Sequence, residues 1–147
     1  MLEENKVTIL LVEDDPGHAL LVQKNLKRAG VTNPVVHLSD GQQALDYLSG
    51  TGAYAGKTRG RPVMLLLDLN MPVLDGYQVL ARVKASPLTR AIPVVVLTTT
   101  DNPYEISRCY ELGCNVYVTK PVEYDRFSAA IQSLGQFLSI IKVPEEC

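Results

Sequence analysis

Val7-Thr8-Ile9-Leu10-Leu11-Val12 runs straight into Glu13-Asp14-Asp15 and then Pro16. The apolar run is β-branched and does not alternate with polar residues, which is the pattern of a strand buried on both faces, as in a parallel sheet covered by helices. The acids that end it cannot continue inside such a sheet. Pro16 suits the first turn of a helix, where its missing N–H is not needed. This helix is expected to reach about Ala29 and to be closed by Gly30.

A buried parallel strand needs neighbours of its own kind, and the chain repeats the pattern. Val35-Val36-His37-Leu38 reads as a second strand, followed by a helix from Gln42 to about Leu48 that ends near Gly50. Residues 51–62 are rich in glycine and have no period, so they read as a loop. Val63-Met64-Leu65-Leu66-Leu67 is a third strand that again stops at an acid, Asp68, and a helix over Tyr77–Ala85 follows. Pro93-Val94-Val95-Val96-Leu97 is a fourth, with proline tolerated at its first position. A helix over Pro103–Leu112 is capped by Gly113, and Val116-Tyr117-Val118 is a fifth strand. The last helix shows Phe127, Ala130, Ile131, Leu134, Leu138 and Ile141 at helical spacing. Strand–helix repeats of this kind predict an α/β fold, a doubly wound five-stranded parallel sheet.

Length agrees with one domain. Five units of roughly 25 residues use about 125 of the 147 residues present. The single domain 1–147 is expected to have its core over about 6–136, an extended loop at 51–62 and a helical extension at 137–147. The 14 basic and 16 acidic residues give a net charge of −2, which attracts neither nucleic acid nor an anionic membrane. The densest basic stretch, Lys57, Arg59 and Arg61, is too short and too free of aromatics for a nucleic-acid platform. Cys109, Cys114 and Cys147 have no zinc or disulfide spacing, which suits a reducing compartment. The polar start is not a signal peptide, and no apolar run approaches a membrane span of roughly 20 residues. A cytoplasmic protein is expected.

In a doubly wound sheet, ligands bind beyond the carboxyl ends of the strands. Those ends here carry Glu13 and Asp14, Asp68, Thr98 and Lys120. Any one acid after a strand is most simply a helix cap or turn residue. Carboxylates gathered from two strands repel one another, however, and a hard divalent cation resolves the conflict. Mg²⁺ takes one or two carboxylates, keeps several waters and leaves room for a phosphate. Lys120 suits a phosphate oxygen as a point charge, and a Thr98 hydroxyl facing the acids suits a phosphoryl group.

Val12-Glu13-Asp14-Asp15-Pro16, Leu67-Asp68-Leu69-Asn70-Met71-Pro72-Val73-Leu74-Asp75-Gly76, Pro93-Val94-Val95-Val96-Leu97-Thr98 and Tyr117-Val118-Thr119-Lys120-Pro121 together closely resemble the receiver domain of two-component response regulators. The resemblance covers nearly the whole chain and implies the (βα)5 flavodoxin-like receiver fold. It implies that Asp68 accepts a phosphoryl group from a phosphohistidine of a histidine kinase, slowly losing it again. It also implies that Asp14, Asp68 and the backbone carbonyl of Asn70 bind Mg²⁺, with Glu13 acting through water, and that Lys120 and Thr98 contact the phosphoryl oxygens. Thr98 and Tyr117 are then the switch, altering the surface of the fourth helix, fifth strand and fifth helix, while Asn70 and Thr100 tune dephosphorylation.

No output domain follows in the sequence, so a stand-alone receiver that signals by binding is expected. The loop at 51–62, the run Leu97-Thr98-Thr99-Thr100 and the long final helix into Phe137-Leu138-Ser139-Ile140-Ile141 look like the small regulators paired with bacterial and cyanobacterial phytochromes. That subgroup tends to form homodimers. Adjacent apolar residues fit this: Ile140 and Ile141, like Leu20-Leu21-Val22, cannot all lie on one narrow stripe when neighbours sit about 100° apart. The alternative is a broad core face.

Three rival readings differ in class. A haloacid-dehalogenase-like phosphatase needs a second acid two residues after its nucleophile, where this chain has Asn70. A flavodoxin-like flavin carrier needs a first loop that cradles phosphate, and Glu13-Asp14-Asp15 would repel it. A phosphorylation-independent interaction module is disfavoured because every position for the chemistry is filled.

Overall fold

The computed structural model describes residues 7–28, 30–50, 63–69, 71, 74–99, 102–119, 125 and 129. Along them strands and helices alternate: β1 (Thr8–Val12), α1 (Pro16–Arg28), β2 (Val35–Leu38), α2 (Gly41–Ser49), β3 (Val63–Leu67), α3 (Gly76–Ala85), β4 (Val94–Thr98), α4 (Pro103–Leu112) and β5 (Val116–Thr119). The expected loop at 51–62, last helix and tail lie outside the described residues.

The strands form one parallel sheet in the order β2-β1-β3-β4-β5. The chain therefore winds outward from β1 in both directions, and the reversal of direction falls between β1 and β3. That is where such a sheet opens a crevice at its carboxyl edge. Residues of β1, β3 and β4 are buried on both faces, which explains why their sequences are apolar without alternation. Leu10, Val12, Leu65, Leu67, Val94 and Val96 pack with residues of α2, α3 and α4. Their neighbours Ile9, Leu11, Met64, Leu66, Val95 and Leu97 pack on the other side, with Ala19, Val22 and Leu26 of α1. Truncating one such leucine costs about 2–5 kcal/mol, a large share of the stability of a domain this size.

Element ends differ from expectation by a residue, each time for a local reason. Helix α2 begins at Gly41 and α3 at Gly76 because Asp40 and Asp75 act as N-caps, accepting from the backbone N–H of Gln43 and Gln78. Strand β4 begins after Pro93, which cannot donate to the ladder but whose carbonyl accepts from Leu65 N at 2.9 Å. Strands β4 and β5 each extend one residue further, pairing Thr98 with Thr119. Helix α1 ends at Arg28, and Gly30, at φ 89°, turns the chain toward β2.

Cys109 and Cys114 are free thiols in the core at the end of α4, where burial pushes Cys109 up to about 11. Among the described residues no helix is long and apolar enough to cross a membrane.

Candidate functional site

Glu13 and Asp14 follow the last residue of β1, and Asp68 follows the last residue of β3, its paired neighbour. The strands are held in step to their ends, since Asp68 N donates to Val12 O at 3.1 Å and Glu13 N donates to Leu38 O at 3.0 Å. As a result carboxylate oxygens of Glu13, Asp14 and Asp68 all lie within 4.8 Å of one another. Glu13 is 2% exposed and Asp68 8%, whereas Asp14 is exposed. The set is thus sunk on two sides and open on the third.

The third acid of the run is spent locally. Asp15 accepts from Gly17 N at 2.8 Å and His18 N at 3.1 Å, capping α1. Its own N–H donates to the Glu13 carboxylate at 3.2 Å. The simple capping role available to each acid in the sequence therefore falls to Asp15, which leaves Asp14 for the cluster.

Thr98 ends β4, next to β3 in the sheet. It is wholly buried, and its hydroxyl has no hydrogen-bond partner among the described residues. Leaving such a group unpaired costs about 1–3 kcal/mol, and an orphan of this kind calls for an explanation. An oxygen-rich group seated against the strand ends would supply one. Tyr117 is half-buried on the same face of the sheet, with its N–H donating to the Tyr110 hydroxyl at 3.2 Å. Lys120 comes directly after the end of β5, but Lys120, Asn70 and Thr100 lie outside the described residues.

Other residues shape the site without having been singled out from the sequence. At Gly76 a Cβ would run into the carbonyl oxygen of Asp68 and lie 2.5 Å from Leu69 Cα, so only glycine lets α3 start this close to Asp68. Gly76 N also donates to Leu69 O at 2.9 Å. Tyr77 donates its hydroxyl to Glu105 at 3.0 Å, and the Arg108 guanidinium lies 4.2 Å from the centre of its ring, tying α3 to α4. Only the Asp75-Gly76 pair left a trace in the sequence, as a turn. The Tyr77–Glu105 contact spans 28 residues and has no local signature.

A parallel sheet in this order, with paired carboxylates at the β1 and β3 ends and a buried threonine at the β4 end, defines a receiver. The chain belongs to the response regulator receiver domain family, which it matches over residues 9–132. It is 39% identical over 137 residues to the response regulator Rcp1 of Synechocystis, covering 92% of each chain. The Mn²⁺-bound form of Rcp1 superimposes with a TM-score of 0.86, covering 94% of this chain and 99% of that one. A response regulator receiver domain from Rhodospirillum rubrum is 50% identical, with a TM-score of 0.86 over 95% of this chain and 99% of that one. The phosphorylated cyanobacterial phytochrome response regulator RcpA is 38% identical, again with a TM-score of 0.86 and the same coverage. The protein is a response regulator of two-component signalling, related to regulators associated with phytochromes.

Proposed function

We propose that Asp68 is the phosphoacceptor, taking a phosphoryl group from a phosphohistidine of a histidine kinase in a Mg²⁺-dependent reaction. The observation that carries this is the convergence of the Glu13, Asp14 and Asp68 carboxylates within 4.8 Å, with a buried threonine at the end of the adjacent strand β4 whose hydroxyl has no partner among the described residues. Three acids so close suit a hard divalent cation bound through oxygen. When bound, that cation offsets negative charge on the transferring phosphoryl oxygens.

The chain's own residues do the rest. An oxygen of Asp68 attacks phosphorus as the bond to the imidazole nitrogen breaks, and the freed imidazole takes a proton. The product is an acyl phosphate on Asp68. Asp14 and Asp68, with the carbonyl of Asn70, would hold the cation, and Glu13 would act through water. Lys120 neutralises phosphoryl oxygen charge, so the protein mainly positions and neutralises. Thr98 donates its hydroxyl to a phosphoryl oxygen, and Tyr117 moves into the space this opens. Asn70 and Thr100 tune the slow hydrolysis that resets the switch.

Similarity to RcpA supports a phytochrome-type histidine kinase as the partner. The exposed Leu20, at 55%, supports a homodimer contact that includes α1 together with the tail. Incubation of the full chain with acetyl phosphate and Mg²⁺, read by intact mass, should show one added phosphoryl group, and none when the metal is chelated before acetyl phosphate is added. A persistent adduct in Asp68→Asn would refute the assignment.

A further inference from the structure

Beyond the carboxylates, one side chain reaches the backbone that carries them. His37 Nε2 lies 2.7 Å from the carbonyl oxygen of Glu13, 24 residues away in sequence. A carbonyl can only accept, so Nε2 carries the proton and donates it. The bond fills a gap left by the sheet. Glu13 N still pairs with Leu38 O, but β2 ends at Leu38. In a parallel ladder the donor for Glu13 O would come from the residue two further on, Asp40, where the chain has already turned to cap α2. The imidazole takes the place of that backbone donor.

We propose that His37 is a positioning residue for cation binding: by holding the Glu13 carbonyl it fixes the peptide unit shared by Glu13 and Asp14, and with it the direction in which Asp14 meets the ion. The inference rests on the reading of Asp14 as a cation ligand. The Glu13 carbonyl and the Asp14 N–H belong to one planar unit, so fixing one fixes the other. Asp14 is exposed, so its direction depends on that backbone more than on packing. A water bonded to the same carbonyl would satisfy it equally, but would not tie it to β2. His37 does, because its ring is attached to a strand in register with β1, where it pairs with Leu11.

The test is Mn²⁺ binding to the full chain, followed by loss of the free-ion electron paramagnetic resonance signal. His37→Phe keeps a ring without a donor and should weaken binding about tenfold, the lower end of what removing a hydrogen bond that orients a metal ligand costs. His37→Gln places an amide N–H at similar reach and should bind close to wild type. That rescue separates positioning from a role in stability alone. Wild-type affinity in His37→Phe, or equal loss in His37→Gln, overturns the proposal. Asp14→Ala distinguishes the two levels. If it loses Mn²⁺ while His37→Phe keeps it, only the role of His37 falls; if it binds Mn²⁺ as wild type does, the cation site itself is elsewhere and both readings fall.

Discussion

Thr98 and Tyr117 lie on the same face of the sheet, with Tyr117 paired to Val96 and so one pleat short of Thr98. Two residues of a parallel strand span roughly 7 Å, within reach of a tyrosine side chain. The Thr98 hydroxyl, without a partner among the described residues, and the half-buried Tyr117 thus stand at diagonal positions on adjacent strands, and the proposed threonine–tyrosine switch would act between them.

Thr98→Val should separate stability from switching. It replaces a buried hydroxyl that has no partner among the described residues with a methyl group, so urea unfolding of the unphosphorylated chain should show a gain of about 1 kcal/mol. Asp68 should still be labelled by acetyl phosphate. Labelling of wild type should change tyrosine fluorescence, and labelling of Thr98→Val should not.

Tyr77 offers a test by pH. Burial and then the hydrogen bond to Glu105 push its phenol well above the ordinary value of 10.0. A raised value in the folded state means a contribution that is complete below pH 10 and is lost as the pH rises through the folded-state value. Alkaline titration followed at 295 nm should find one of the seven tyrosines resisting ionisation while the fold persists. In Tyr77→Phe that resistant group should disappear, and stability near neutral pH should fall by about 1 kcal/mol from the lost bond to Glu105.

Two glycines should respond differently to the same substitution. Gly30 has a positive φ of 89° and open space around it, so Gly30→Ala should cost about 1 kcal/mol from backbone conformation alone and leave divalent-ion binding unchanged. Gly76→Ala forces a methyl group against the Asp68 carbonyl. It should cost about 1–3 kcal/mol through overpacking and also slow acetyl phosphate labelling. Equal labelling rates for the two variants would show that the approach of α3 does not position Asp68.

These contrasts follow the division between what was legible in the chain and what was not. The strands were legible because β1, β3 and β4 are buried on both faces and so are apolar throughout. The carboxylates were legible because Glu13 and Asp68 follow such runs directly and Asp14 comes next to Glu13. Helices α2 and α3 start at Gly41 and Gly76, one residue before the apolar pattern indicates, since glycine weakens a helical pattern while the caps Asp40 and Asp75 extend it. The contacts from His37 to Glu13 and from Tyr77 to Glu105 depend on how distant segments pack, and no local spacing encodes them. Asp15 was indistinguishable from its neighbours until its cap to Gly17 and His18 was formed.

Association should depend on the apolar surplus outside the sheet. Leu20 is 55% exposed while Val22, two residues on, is fully buried, so α1 presents apolar surface that the core does not use. Leu20→Glu should lower the dimer fraction in sedimentation velocity without changing the unfolding midpoint of the dilute chain by more than a degree or two, since exposed substitutions usually lie within about 0.5 kcal/mol, and truncation after Gly135 should lower the dimer fraction as well. Unchanged association in both would remove α1 and the tail from the contact.

The most direct measurement is chemical mapping of the labelled residue. An acyl phosphate on a side-chain carboxylate is reduced by borohydride to the corresponding alcohol, so phosphorylated Asp68 becomes homoserine. After incubation of the full chain with acetyl phosphate and Mg²⁺, reduction and peptide mass analysis should find homoserine at position 68 and nowhere else. Homoserine at position 14 or 15, or phosphate retained on a hydroxyl such as Thr98, would contradict the account.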